Sequence, residues 1–338
     1  LAPRRFRRTR RIILGLGAIL VGLGGLAYLW YVRGVGPGPT VPSPPPASPA
    51  GEWTIRAPMP TPRTEVAAAA LDGKIYVVGG FDGLGMTVNT VEVYDPAADR
   101  WRSGPPLPKP VHHTHAVAVG DRLYVLGGLT GAAMTPVADV FWLRPAEGVW
   151  RTARPMPTPR GAGAAVVYRD QIYLFGGLGP GGQSVAEAAR YDPGADRWEA
   201  LPPMPTARDH LAAGVIGDRI YVVAGRNPEN LRVVESFSPA AGRWEPAPPI
   251  PTPRGGIAAA VVFNRLYVFG GESPAGTFNH NEEFDPAAGI WTTRAPMPTA
   301  RHGLGAVALG ELIYVVGGGP RPGLSVSGAN EVYRPPRP

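Results

Sequence analysis

Two markers recur along this chain with one spacing. Tryptophans stand at Trp53, Trp101, Trp150, Trp198, Trp244 and Trp291, separated by 48, 49, 48, 46 and 47 residues. A small-residue pair follows each of them: Gly79-Gly80, Gly127-Gly128, Gly176-Gly177, Ala224-Gly225, Gly270-Gly271 and Gly317-Gly318. A period near 48 accommodates four short strands and their turns, the size of a propeller blade, and few other folds.

One repeat can be read strand by strand. Arg63 to Leu71 is a run of small residues (strand a), and Asp72-Gly73 is the two-residue turn that favours a tight hairpin, because both positions want positive φ. Lys74 to Gly80 (strand b) is apolar; Val91-Glu92-Val93-Tyr94 (strand c) alternates as a half-buried strand does. Trp101 opens strand d, and Pro105, Pro106, Pro108 and Pro110 end the pairing. Alanine-rich segments fill the strand a position in other repeats, as at Ala116-Val117-Ala118, Ala164-Ala165 and Ala212-Ala213. Small side chains are what an innermost strand needs when its equivalents crowd round an axis.

These residues resemble the kelch repeat: Pro-Arg before strand a, Ile-Tyr-Val-Val-Gly-Gly through strand b, Val-Glu-Val-Tyr-Asp-Pro in strand c, and Trp in strand d. The resemblance covers residues 52–338 and implies an all-β, six-bladed kelch-type β-propeller. The last a–b–c set ends at Tyr333 without a Trp strand of its own, so residues 52–58 are expected to supply the closing strand of the last blade.

The net charge of +7 belongs to the N-terminus. Arg4, Arg5, Arg7, Arg8, Arg10, Arg11 and Arg33 carry it, and the remaining chain balances 26 basic against 26 acidic groups, which disfavours nucleic acid as a partner. Residues 1–11 read as a basic cytoplasmic tail. Residues 12–32 hold no charge and as a helix would span about 31 Å, enough for a transmembrane signal anchor. The arginines ahead of the span place the propeller outside the cytoplasm. Export through a twin-arginine signal, or after signal cleavage, is the competing reading. Residues 33–51 are proline-rich and read as a stiff extended linker.

In an antiparallel meander the d–a and b–c connections share one face. The position just before strand a there holds Arg63, Val111, Arg160, Arg208, Arg254 and Arg301. Two readings stand together: these arginines lock the ring through carbonyls, or they form a cationic funnel for an anionic peptide, protein or glycan. His112, His113, His210 and His302 follow the same slot, His115 lies deeper, His280 falls in a b–c connection, and Phe81 with Asp82 is a candidate ligand platform. In similar kelch domains this rim takes acidic peptides or a sugar acid, so ligand binding is the expected function.

His113 and His115 alternate like a metal pair, but spacing supplies no third protein ligand, so neither metal nor cofactor is expected. The absence of cysteine argues against a copper oxidase of the galactose oxidase type, which needs a tyrosine–cysteine crosslink. A mutarotase or epimerase similar to the sialic acid type stays open, with Glu65, Asp209, Glu272 and Asp139 as available acids and Glu272 as the catalytic candidate.

Overall fold

The structure is a computed structural model that describes residues 38–337. The basic tail, the apolar span 12–32 and the first part of the linker lie outside the described residues; among the described residues no helix is long and apolar enough to cross a membrane.

Six antiparallel sheets carry the repeats. Blade 1 runs Ala67–Leu71, Lys74–Val78, Val91–Asp95 and Arg100–Ser103, as strands a to d. Blades 2, 3 and 4 repeat this order with inner strands His115–Val119, Ala164–Tyr168 and Ala212–Ile216. Blade 5 begins with Gly255–Val262, and blade 6 with Gly305–Leu309. Each inner strand neighbours the next, and the sixth returns to the first, so the disc is closed. The final sheet takes Glu52–Ile55 as its outer strand, pairing Trp53 with Tyr333 and Thr54 with Val332. Strand a is shorter than the sequence run suggested: Arg63 and Thr64 form isolated bridges to Ser327 and Phe81 ahead of it.

The markers have separable jobs. Each tryptophan donates its indole N–H to a carbonyl of the neighbouring blade's exit segment, as Trp101 does to Ala57 (2.7 Å) and Trp291 to Pro248 (2.8 Å). The ring meanwhile packs on the residue opposite in strand c, aromatic in every blade but the second, where it is Leu143; Trp101 lies 5.0 Å from Tyr94. The second member of each small pair has φ between 95° and 115° and donates its N–H to the carbonyl just before the next inner strand, as Gly80 does to Val111 (2.8 Å). A Cβ at Gly225 would stand 2.5 Å from the Asp209 carbonyl oxygen, so the close approach of the segments flanking strands a and b of blade 4 requires glycine there. The Asp72-Gly73 turn takes positive φ at both residues, 50° and 70°.

The described part of the proline-rich segment lies along the propeller. Thr40–Val41 adds a parallel strand to Thr277–Phe278 of blade 5. Ala50 then accepts hydrogen bonds from the Tyr333 hydroxyl (2.7 Å) and the Ala295 N–H (2.9 Å). A polyproline stalk standing clear of the domain is therefore not what residues 38–51 form.

Candidate functional site

The six arginine-slot positions do not point into a common mouth. Arg63, Arg160, Arg208, Arg254 and Arg301 are all buried within their blades. Arg63 donates to the Gly79 and Thr90 carbonyls and to Glu92; Arg254 donates to the Val268 and Gly270 carbonyls and to Glu282. Arg208 pairs with Glu235, and Arg301 with Glu331 at 3.0 Å. In each case the carboxylate comes from the second residue of strand c, so the guanidinium reaches away from the axis, across strand b. The expected cationic funnel has no exposed guanidinium to build it; burial and pairing are why. Blade 2 shows the same logic by omission: Val111 takes the arginine's place, and Phe141 takes the glutamate's. Blade 3 is the exception, with Ala189 at the glutamate position and Glu187 nearby, and burial lowers the Arg160 pKa to about 10.

The mouth is built two residues further on. Glu65, His113, Ala162, His210, Gly256 and Gly303 occupy equivalent places in the six blades, and all have φ between 51° and 69°. Their backbones form a ring: His113 N–H donates to Glu65 O, Ala162 to His113, His210 to Ala162, Gly256 to His210 and Gly303 to Gly256, at 2.6 to 3.0 Å. Val66 N–H closes the circle on Gly303 O at 3.3 Å. The left-handed conformation suits glycine, and blades 5 and 6 use it. Blades 1, 2 and 4 instead spend that strained position on Glu, His and His, so those side chains are not demanded by the backbone.

These side chains converge above a small axial cavity of about 70 Å³. His113 Nε2 lies 3.0 Å from both Glu65 Oε2 and His210 Nε2. His302, from blade 6, brings its Nε2 to 3.5 Å from Glu65 Oε1 and 3.6 Å from Glu272 Oε2. Arg226 bridges the group, with Nη2 2.9 Å from His210 Nε2 and Nη1 3.1 Å from Glu272 Oε1. Asp209 holds His210 Nδ1 and accepts from Ser184. Among the described residues, Glu65, His113 and His210 form the one set with metal-ligand spacing, their donor atoms all within 4.8 Å of one another.

Burial disfavours the charged form of His113 and His112, and the latter falls to about 4. Burial alone would raise the acids, yet Glu272 is held below its ordinary range by His302, the Gly323 N–H and Arg226. Asp209 is lowered against its own burial by its bonds to His210 and Ser184 and by Arg226. At the mouth Glu65, Asp209 and Glu272 face the Arg226 guanidinium and the imidazoles of His113, His210 and His302.

A family described as the KLHDC2/KLHL20/DRC7 Kelch-repeats domain matches residues 50–177 and 164–333. The chain belongs to the kelch-repeat family. Among solved structures, one described as "Structure of YjhT" superposes with a TM-score of 0.71 at 14% identity, covering 82% of this chain and 97% of that one. The likeness carries the fold, a six-bladed all-β propeller. A comparison with curated proteins returned no match.

Within this kelch propeller the remaining sequence candidates separate. Phe81 is buried and stacks on His112 (centroids 4.0 Å apart), so it is a wall behind the histidines and not an exposed platform. His115 donates or accepts at both ring nitrogens, to Leu126 O and from Gly163 N–H, and cannot pair with His113 on a metal. His280 packs edge-on to Phe278, away from the cluster, and Asp139 is bonded to Lys109 (2.7 Å). Arg226 is the residue sequence reasoning passed over. It follows the Ala224-Gly225 pair directly, where the other repeats carry Phe, Leu, Leu, Glu and Gly, and that difference was the available signal.

Beside the mouth a larger recess of about 710 Å³ opens, lined by Arg226, Glu229, Asn230, Thr252, Glu272 and Ser273 among several prolines.

Proposed function

We propose that this chain is a membrane-tethered, extracytoplasmic kelch propeller that binds a glycan at the mouth and its adjoining recess. The tether rests on the uncharged span 12–32 behind its arginines. The observation that carries the ligand class is the lining of the recess: donors (Arg226, Asn230) alternate with acceptors (Glu229, Glu272) and hydroxyls (Thr252, Ser273). Sugar hydroxyls donate and accept at once, and the recess has the volume of a small-molecule site. Burial of the five slot arginines removes the exposed guanidinium ring that would have attracted a strongly anionic peptide.

The test is saturation-transfer NMR of the purified protein against neutral and acidic monosaccharides and an acidic peptide. Saturation of one or more sugars, weakened at least tenfold in Arg226→Gln, is expected. Transfer to the peptide alone, or to nothing, would overturn the glycan reading.

A second reading is favoured by one contact set. Glu272 stands between Arg226 and His302 at the edge of the recess, the convergence of a carboxylate with basic groups that a sugar mutarotase or epimerase of the sialic acid type requires. Anomer exchange of an acidic sugar that accelerates with protein and is lost in Glu272→Gln supports it; exchange at the solvent rate removes it.

A further inference from the structure

We infer that Glu65, His113 and His210 form a binding site for one divalent transition-metal cation of the zinc class at the propeller axis.

The hydrogen bonds behind the cluster assign its tautomers. His302 Nδ1 lies 3.1 Å from the Gly319 carbonyl, which can only accept, so Nδ1 carries the proton and Nε2 a bare lone pair. His210 Nδ1 is held by the Asp209 carboxylate, which leaves its Nε2 bare as well. His112 Nε2 donates to Gly131 O at 3.3 Å, so its Nδ1 accepts from His113 Nδ1 at 2.6 Å. His113 Nε2 is then the third bare nitrogen. All three face the Glu65 carboxylate, itself a pure acceptor.

Acceptors gathered without donors repel unless a cation sits among them. The buried His302 Nε2 has no hydrogen-bond partner at all. Arg226 is the one donor that reaches in, and it meets only His210. Arg226 also bonds Glu272 and contacts Asp209, so it has carboxylates to hold when His210 turns to a metal.

The geometry matches coordination. Donor separations of 3.0 Å from His113 to both Glu65 and His210 are those of two bonds of about 2.1 Å meeting near a right angle. The Asp209 carboxylate behind His210 and the His112 imidazole behind His113 are the outer supports that fix a ligating histidine. Two imidazoles with one carboxylate suit Zn²⁺, Co²⁺ or Ni²⁺ better than Mg²⁺ or Ca²⁺. The ligands come from blades 1, 2 and 4, so a bound ion would cross-link the disc at its centre. Spacing along the chain could not reveal this set, since Glu65 and His210 are separated by the closure of the ring.

The experiment uses tag-free protein stripped with chelator and titrated with Co²⁺ and Zn²⁺. One equivalent is expected, with a cobalt visible spectrum and a rise in Tm. Glu65→Gly, His113→Gly and His210→Gly test the ligands with little risk to folding, because glycine fills the same left-handed position in blades 5 and 6. Each should weaken Zn²⁺ at least tenfold, while Arg226→Gln should leave it unchanged or tighter. The site is refuted if the folded wild type takes up no stoichiometric cobalt or zinc, or if the three glycine variants bind as well as it does. Metal uptake is read without any sugar, so its failure is distinguishable from failure of glycan binding.

Discussion

Arg254 Nη2 stands 2.7 Å from Glu282 Oε2, and neither side chain touches solvent. The pair sits where a sequence reading would place a ligand-facing arginine, and its isolation from water fixes its role as internal bracing. Breaking such a pair strands a buried charge. Arg254→Ala or Glu282→Ala should therefore lower stability by about 3–5 kcal/mol. The double replacement Arg254→Leu, Glu282→Leu should recover most of that loss. Chemical denaturation of the three variants checks both statements.

Arg160 should behave differently. Its Nε and Nη2 have no hydrogen-bond partner, and no glutamate faces it from strand c. Arg160→Met should cost at least about 2 kcal/mol less than Arg254→Met, since it strands no paired carboxylate. Equal losses in denaturation midpoint at matched slope would count against this ordering.

The Ala224-Gly225 pair separates two requirements that elsewhere coincide. Ala224 has φ 52° and is already tolerated, so Ala224→Gly should shift stability by no more than about 1 kcal/mol. Gly225→Ala would drive a methyl into the Asp209 carbonyl and should cost about 3 kcal/mol or more. Melting the two variants side by side tests the close backbone approach within blade 4.

His280 gives a pH signature. It is buried against Phe278 and near the Arg254 charge; burial, then that charge, lower its pKa to about 4. The unfolded chain takes up a proton near pH 6.5, while the folded state refuses it down to about 4. Its contribution is therefore complete above the unfolded value and is lost as pH falls through that window, with a slope of up to about 1.4 kcal/mol per pH unit. Denaturation midpoints for wild type and His280→Gln between pH 7 and 4 should converge on acidification. Parallel curves would show that this imidazole does not titrate on unfolding.

Closure of the ring makes a length prediction. A chain beginning at Gly51 keeps the outer strand of blade 6, including the Trp53 indole bond to Ala295 (2.8 Å). One beginning at Ala57 leaves Asn330–Arg334 with an open edge and Tyr333 without the Trp53 ring beside it. The shorter chain should melt at least about 5 °C lower than the other, since losing a few kcal/mol shifts a large domain by roughly that amount.

Much of this architecture was legible because a period of 48 residues and two kinds of marker constrain every blade at once. Trp53 without preceding strands, and Tyr333 without a following tryptophan, disclosed which segments meet. The arginine slot was misleading for a physical reason. Spacing locates a Cα on a face, but whether a long side chain extends outward or folds back is decided by what waits inside. The clue was present: Glu92, Glu235, Glu282 and Glu331 sit in strand c of arginine-bearing blades, and Phe141 replaces them where Val111 replaces arginine. The axial cluster was hidden more deeply. Glu65, His113, His210 and His302 come from four repeats, and only closure of the circle brings them within reach of one another.

The inner ring also breaks the pseudosymmetry of the disc. Blades 1, 2 and 4 project functional groups from it, whereas Ala162, Gly256 and Gly303 leave the other three sectors bare. An opening that repetition alone would make indifferent to rotation thus acquires a compass bearing. A guest entering it meets ring side chains at blades 1, 2 and 4 but only a methyl or hydrogen at blades 3, 5 and 6, and can settle in one azimuth out of six.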